Sequence, residues 1–288
     1  GSFTAMVYDN QLTANSTSNG DGIRFYGSSV NYSSAMGGPD VTLDILRNSV
    51  VGVEDSGVQV DFYTSNYGAG DAGSFTATID DNTITGGTTF GDGDGIYVGA
   101  YGYNSGSGGG LDATVYARNN TITSFSDSGV QVYYSSYVGS GPNGTFMATV
   151  SNNEIDEVYD DGVGVYSYFD GESGVGTVSV LNNRIQANGS GIGSHAGVSV
   201  EAYDSNGSAD FTATISGNDI EANTGYHGVY VYVYDTGVSS GPSITADDNK
   251  ISTVLDGLHI SYSGSGTMAF AGNRNEVSGN VVIATDGQ

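Results

Sequence analysis

Several residue types are missing or scarce in this chain of 288 residues. It has no cysteine, no tryptophan and 3 prolines. Its 6 Lys+Arg face 32 Asp+Glu, a formal net charge of −26. Without cysteine there is no disulfide framework and no thiolate metal site. So few cations argue against a phosphate-neutralising surface for DNA or RNA, and against a polybasic patch for anionic lipid. The acidity favours cation binding, a saline habitat or strong solubility. No run approaches the ~18–20 apolar residues of a membrane helix. No secretory leader opens the chain. Gly1-Ser2-Phe3-Thr4-Ala5 already alternates like a strand, as expected of a processed mature form or an excised piece.

What is abundant is glycine, 47 residues, and tyrosine, 21 residues. An acidic, Gly-rich composition alone would suit disorder. The apolar residues, however, fall in ordered alternation. A tripeptide of Asn, any residue and an aliphatic begins at Asn10, Asn48, Asn82, Asn120, Asn153, Asn183, Asn218, Asn249 and Asn275. The spacings run from 26 to 38 residues, with a mean near 33. Such a period marks a solenoid.

Before most of these asparagines stands a strand with one apolar face, such as Phe75, Ala77 and Ile79, or Phe146, Ala148 and Val150. Period-two alternation is the pattern of a half-buried strand. After each asparagine and a variable polar segment comes a Gly-initiated strand, such as Gly57-Val58-Gln59-Val60 or Gly129-Val130-Gln131-Val132. One such coil cannot bury its own apolar face, so the coils must stack, each strand pairing with its counterpart one coil away. About nine coils at roughly 4.8 Å each predict a rod some 43 Å long. Asparagines in register on successive coils can bond one another as a ladder, which satisfies amides that would otherwise be buried unpaired.

The corner Asn119-Asn120-Thr121-Ile122, repeated as Asn152-Asn153-Glu154-Ile155 and Asn182-Asn183-Arg184-Ile185 and followed by Gly-Val-x-Val, resembles the repeat of the pectate-lyase-like superfamily. The resemblance covers essentially the whole chain. It implies an all-β, single-domain, right-handed parallel β-helix over residues 1–288. It implies little about activity, because the superfamily holds polysaccharide lyases, glycoside hydrolases, phage tailspikes and surface adhesins.

The outward residues are then fixed. Six positions before each ladder asparagine lies a threonine-rich column: Thr4, Thr42, Thr76, Thr114, Met147, Thr177, Thr212, Ser243 and Ala269. Its neighbour column is mixed, so no flat Thr-x-Thr plane of the ice-binding kind is sustained. The Gly-initiated strands expose Tyr26, Tyr63, Tyr101, Tyr133, Tyr166, Tyr168, Tyr203, Tyr232 and Tyr234, with Tyr230 beside them. Flat rings with polar tips suit sugar stacking or assembly contacts, and they also stabilise a sheet through cross-coil pairing. Just before the glycines gathers an acidic column: Asp21, Asp55, Asp92, Asp94, Asp127, Asp160, Asp161 and Asp256. Oxygen-rich, Gly-permitted turns such as Gly91-Asp92-Gly93-Asp94-Gly95 are what Ca²⁺ takes, so calcium is the expected cofactor. Asp is also an ordinary turn residue.

No catalytic set is evident. Arg47, Arg118, Arg184, Lys250 and Arg274 sit at separate Asn corners, and Arg24 stands alone. Acidic pairs such as Asp80-Asp81 and Asp160-Asp161 are expected by chance among so many acids, although glycoside hydrolysis needs only two carboxylates. His195, His227 and His259 fall on three successive coils. His227-Gly228 resembles the His-Gly of polygalacturonases, but the Arg-x-Lys of that family is missing. Sequons at Asn31, Asn143 and Asn206 lie in loops. With no capping segment evident at either end, the expected role is an extracellular structural solenoid. Its partners would be copies of itself stacked end to end or the rest of a longer surface protein. Polysaccharide binding or cleavage is the alternative.

Overall fold

The computed structural model describes residues 1–14, 20–32, 37–87, 93–171, 173–187, 196–205, 208–222, 227–235 and 241–287. Among them are 27 β-strands and no helix. The strands form three sheets of nine, every pairing parallel, and each coil gives one strand to each sheet. One coil is representative: Asp112–Arg118 enters sheet A, Thr121–Phe125 sheet B and Val130–Val138 sheet C. The chain is therefore a parallel β-solenoid.

The core lies between the three sheets. Alternate residues point inward along each strand, so Val115 and Ala117, Ile122, and Val130, Val132 and Tyr134 of this coil are all buried. Each fully buried aliphatic contributes roughly 1.5–3 kcal/mol by its removal from water. Aromatic rings stack inside as well: Phe62 on Phe75 at 5.0 Å, and Tyr134 on Phe146 at 4.8 Å. The buried hydroxyl of Tyr134 donates to the Leu111 carbonyl at 2.8 Å.

The corner between sheets A and B is built by two adjacent columns. The residue before each ladder asparagine is left-handed. Asp9, Arg47, Asp81, Asn119, Asn152, Asn182, Asp248 and Arg274 have φ between +52° and +57°, and Gly217 has +69°. Asn, Asp and Gly adopt this conformation most readily. The bend turns the following asparagine inward. Each ladder asparagine then donates from Nδ2 to Oδ1 of the next coil's asparagine at 2.9–3.0 Å, unbroken from Asn10 to Asn275. The same Oδ1 accepts the previous asparagine's backbone N–H at 2.9–3.1 Å. The second amide hydrogen reaches back to a sheet A carbonyl one coil earlier, as from Asn120 to Ile79 at 3.0 Å. The buried amides thus have their partners within the stack.

The corner before sheet C is steric. Gly22, Gly57, Gly95, Gly129, Gly162, Gly197, Gly228 and Gly257 each face the aliphatic of the next coil's Asn-x-aliphatic tripeptide. A Cβ on any of them would lie 2.0–2.3 Å from a methyl of that residue. The recurring glycine and the recurring Ile or Val are two halves of one contact. A shorter polar file was not evident from the repeat. Asn66 and Asn104 are fully buried at the far end of sheet C and bond loop backbone, Asn104 donating to the Gly109 carbonyl at 2.9 Å.

Candidate functional site

The outer face of sheet C carries most of the chemistry. Its register is continuous: Tyr63 pairs with Tyr101, Tyr133 with Tyr166, and Tyr203 with Tyr234. Eight tyrosines form one uninterrupted file. Ring centroids are 5.7 Å apart from Tyr26 to Tyr63, 4.5 Å to Tyr101, 5.3 Å to Tyr133, 5.4 Å to Tyr168 and 4.8 Å to Tyr203. From Tyr203 the file forks to Tyr232 at 5.6 Å and Tyr234 at 6.5 Å. The inner rings partly cover one another, with Tyr63 and Tyr168 still 37% exposed and Tyr26, at the end of the file, 63% exposed. A second file, Tyr32–Tyr67–Tyr103–Tyr137, runs beside it at 5.1, 5.8 and 5.0 Å. The offsets that identify the first file do not reach these residues, which follow the regular alternation.

Tyr166 departs from the expected surface role. It points to the acidic corner, where its hydroxyl donates to Asp161. Tyr97, which the sequence did not single out, shares a 2.5 Å hydroxyl contact with Tyr101. Burial raises the phenol pKa values of Tyr63, Tyr133, Tyr168 and Tyr230, and Tyr97 is pushed up to about 12.

The acidic column lies along the corner before sheet C. Asp92 lies outside the described residues. Asp94 and Asp161 are buried, whereas Asp21, Asp55, Asp127 and Asp160 are half-buried. Asp94 accepts the Ser128 N–H of the next coil at 3.0 Å, and Asp161 accepts that of Ala196 at 2.7 Å. Both carboxylates therefore tie one coil to the next. Burial, then Asp127, drives the Asp94 carboxyl well above its usual range. Burial, then Asp160, pushes Asp161 up to about 8, against the Tyr166 and Ala196 hydrogen bonds. Asp21 rises by burial and its neighbour Asp55. Asp61, buried and bonded by Gln59 at 2.9 Å, joins this acidic strip although it lies within a strand.

The basic residues are spoken for. Five reach a carboxylate one coil earlier at 2.5–3.1 Å: Arg47 to Asp9, Arg118 to Asp80, Arg184 to Glu154, Lys250 to Asp219 and Arg274 to Asp248. Arg24 lies 3.5 Å from Asp21 of its own coil. These pairs serve the stack.

One cluster differs in kind. His227 opens the strand His227–Asp235, and Asp256 opens its neighbour Asp256–Gly264, in which His259 is the fourth residue. The ligand atoms of these three all lie within 4.8 Å of one another, the one such set among the described residues. Asp256 Oδ2 is 3.1 Å from His259 Nδ1 and 3.6 Å from His227 Nδ1. Burial, then His259, lowers the His227 pKa, whereas Asp256 is lowered by its hydrogen bonds from His259 and Asn280. The Tyr230 ring sits 5.3 Å from both imidazoles. His195 lies outside the described residues. The sequence noted the histidines and Asp256 separately. Their offsets from Gly228 and Gly257 contain the signal that would have joined them: minus one, minus one and plus two.

No known protein family, curated protein or solved structure matches the chain.

Proposed function

We propose that this chain is an extracellular structural β-solenoid, a filament subunit or adhesin-type stalk segment that stacks end to end. The observation that carries the proposal is the polarity of the stack. The ladder runs in one sense, so Oδ1 of Asn10 is an acceptor on one end face and the N–H of Asn275 a donor on the other. The left-handed column begins with Asp9 and closes with Arg274, each held in an ion pair by the neighbouring coil. Exposed apolar residues lie at both, Phe3 and Met6 at one and Val281 and Ile283 at the other. Open strand edges of this kind accept more strands. A head-to-tail joint that does not close gives a filament. The pairing of every Lys and Arg with a carboxylate fits a non-enzymatic member of the pectate-lyase-like superfamily. Electron microscopy across a concentration series tests self-stacking. End-joined rods are expected, and isolated single-length rods at every concentration would refute it.

The tyrosine file favours a second reading, carbohydrate binding along sheet C, because stacked, half-exposed rings offer flat apolar surface to sugars. A glycan array tests it, with binding expected to fall on Tyr101→Ala or Tyr168→Ala. No binding to any glycan would exclude it.

A further inference from the structure

We propose that His227, Asp256 and His259 form a binding site for one first-row divalent cation of the zinc class. Three observations converge. The first is spacing. A tetrahedral ion with bonds of about 2.0–2.1 Å separates its ligands by about 3.3 Å. The distances from Asp256 Oδ2 to the two imidazole nitrogens, 3.1 and 3.6 Å, bracket that value. Small side-chain adjustments would place all three atoms on one ion.

The second is an unsatisfied group. His227 Nδ1 is buried and has no hydrogen-bond partner. Such an atom carries a desolvation penalty that a bound cation would remove. It faces Asp256 and the edge of the His259 ring, whose centroid is 5.1 Å from that of His227.

The third is support from the scaffold. Tyr230 pairs with His259 and Val229 with Leu258, so the two strands cannot slide past each other. Asp256 Oδ1 accepts from Asn280 Nδ2 at 3.1 Å, which orients the other oxygen between the rings. Outer contacts of this type hold ligands in place for a metal.

The donor set selects the ion. Two imidazoles and one carboxylate suit Zn²⁺, Co²⁺, Ni²⁺ or Cu²⁺, whereas Ca²⁺ and Mg²⁺ prefer all-oxygen shells. The site thus shares Asp256 with the acidic column but calls for a different ion from the calcium expected there. Three protein ligands leave at least one position for water or an external donor. The ligand side chains are 17–25% exposed, so an ion can enter from the solvent side of sheet C.

The test uses the whole chain, stripped with chelator and dialysed. Titration calorimetry with ZnCl₂ should give one ion per chain, and CoCl₂ should produce visible d–d absorption. The melting temperature should rise with Zn²⁺, as binding to the native state requires. His259→Gln and His227→Ala should each weaken binding at least tenfold and abolish the cobalt spectrum, whereas Asp219→Ala, at another corner of the stack, should leave both unchanged. Circular dichroism of the metal-free variants separates ligand loss from misfolding, and His259→Gln keeps a ring-sized polar side chain should His227→Ala fail to fold. The proposal is overturned by absence of saturable Zn²⁺ or Co²⁺ binding, by undiminished binding in the folded variants, or by millimolar Ca²⁺ displacing Co²⁺.

Discussion

Gly129 and Ile155 occupy one space on adjacent coils: a Cβ on Gly129 would stand 2.3 Å from Ile155 Cγ2 and 2.7 Å from the Gly162 carbonyl oxygen. The contact recurs along the stack and locks the corner before sheet C to sheet B of the next coil. Overpacking of a tight core costs typically 1–3 kcal/mol. Here backbone stands on one side of the missing methyl, so Gly129→Ala should reach at least the upper part of that range by urea unfolding. Ile155→Ala alone should cost about 2–5 kcal/mol. The double variant should lose less than the sum, because the second change removes the methyl that obstructs the first. Simple additivity would show that the two do not share the contact.

The ladder makes a sharper demand. Asn120 Oδ1 accepts both the backbone N–H and Nδ2 of Asn82, and Asn120 Nδ2 donates to Asn153. Asn120→Leu therefore strands two buried donors on Asn82 and removes the amide donor to the Ile79 carbonyl and to Asn153 Oδ1, which keeps only the residue-120 backbone N–H. At roughly 1–3 kcal/mol for each unsatisfied group, several kcal/mol should be lost. Asn120→Asp should also destabilise at neutral pH, since it buries a charge and cannot donate to Asn153. A thermal melt indistinguishable from wild type would count against the ladder as a source of stability.

Protons should matter at the acidic corner. Asp161 faces Asp160, Glu201 and Tyr166, and its folded pKa is raised to about 8. A carboxyl with a raised folded pKa binds its proton more tightly in the native state. Its stabilising contribution is complete below the unfolded pKa of about 4 and is lost as pH rises through the folded value. Melting temperature should therefore fall between about pH 4 and pH 8, and Asp161→Asn, which mimics the neutral acid, should flatten that fall. An identical pH profile in the variant would assign the dependence to other groups.

The corner ion pairs should contribute unequally. Arg47 and Asp9 are both more than half exposed. Water and salt screen such a pair, so Arg47→Ala should barely move the melting temperature. Arg118 pairs with the largely buried Asp80 and lies 5.1 Å over the Tyr116 ring. Arg118→Ala should cost about 1 kcal/mol, measurable as a lower urea midpoint. Equal losses in the two variants would contradict this ranking.

Much of the molecule was written in one dimension. Alternation fixes which side chains of Phe75–Ile79 or Val130–Tyr134 face inward, because successive Cβ atoms in a strand point to opposite sides. The recurrence of Asn-x-aliphatic and of Gly fixes the period, because each coil must repeat the corner that its neighbour packs upon. Tertiary structure decided the rest. Two residues 26 in sequence apart, or 38, become neighbours only when variable loops bring their coils into register. Stacking alone therefore set Asp94 and Asp161 as buried tethers, turned Tyr166 from the surface toward Asp161, and drew His227 against Asp256 and His259. The repeat specifies the rod from local rules, whereas its chemistry lies in exceptions to the repeat, whose partners only the stack supplies.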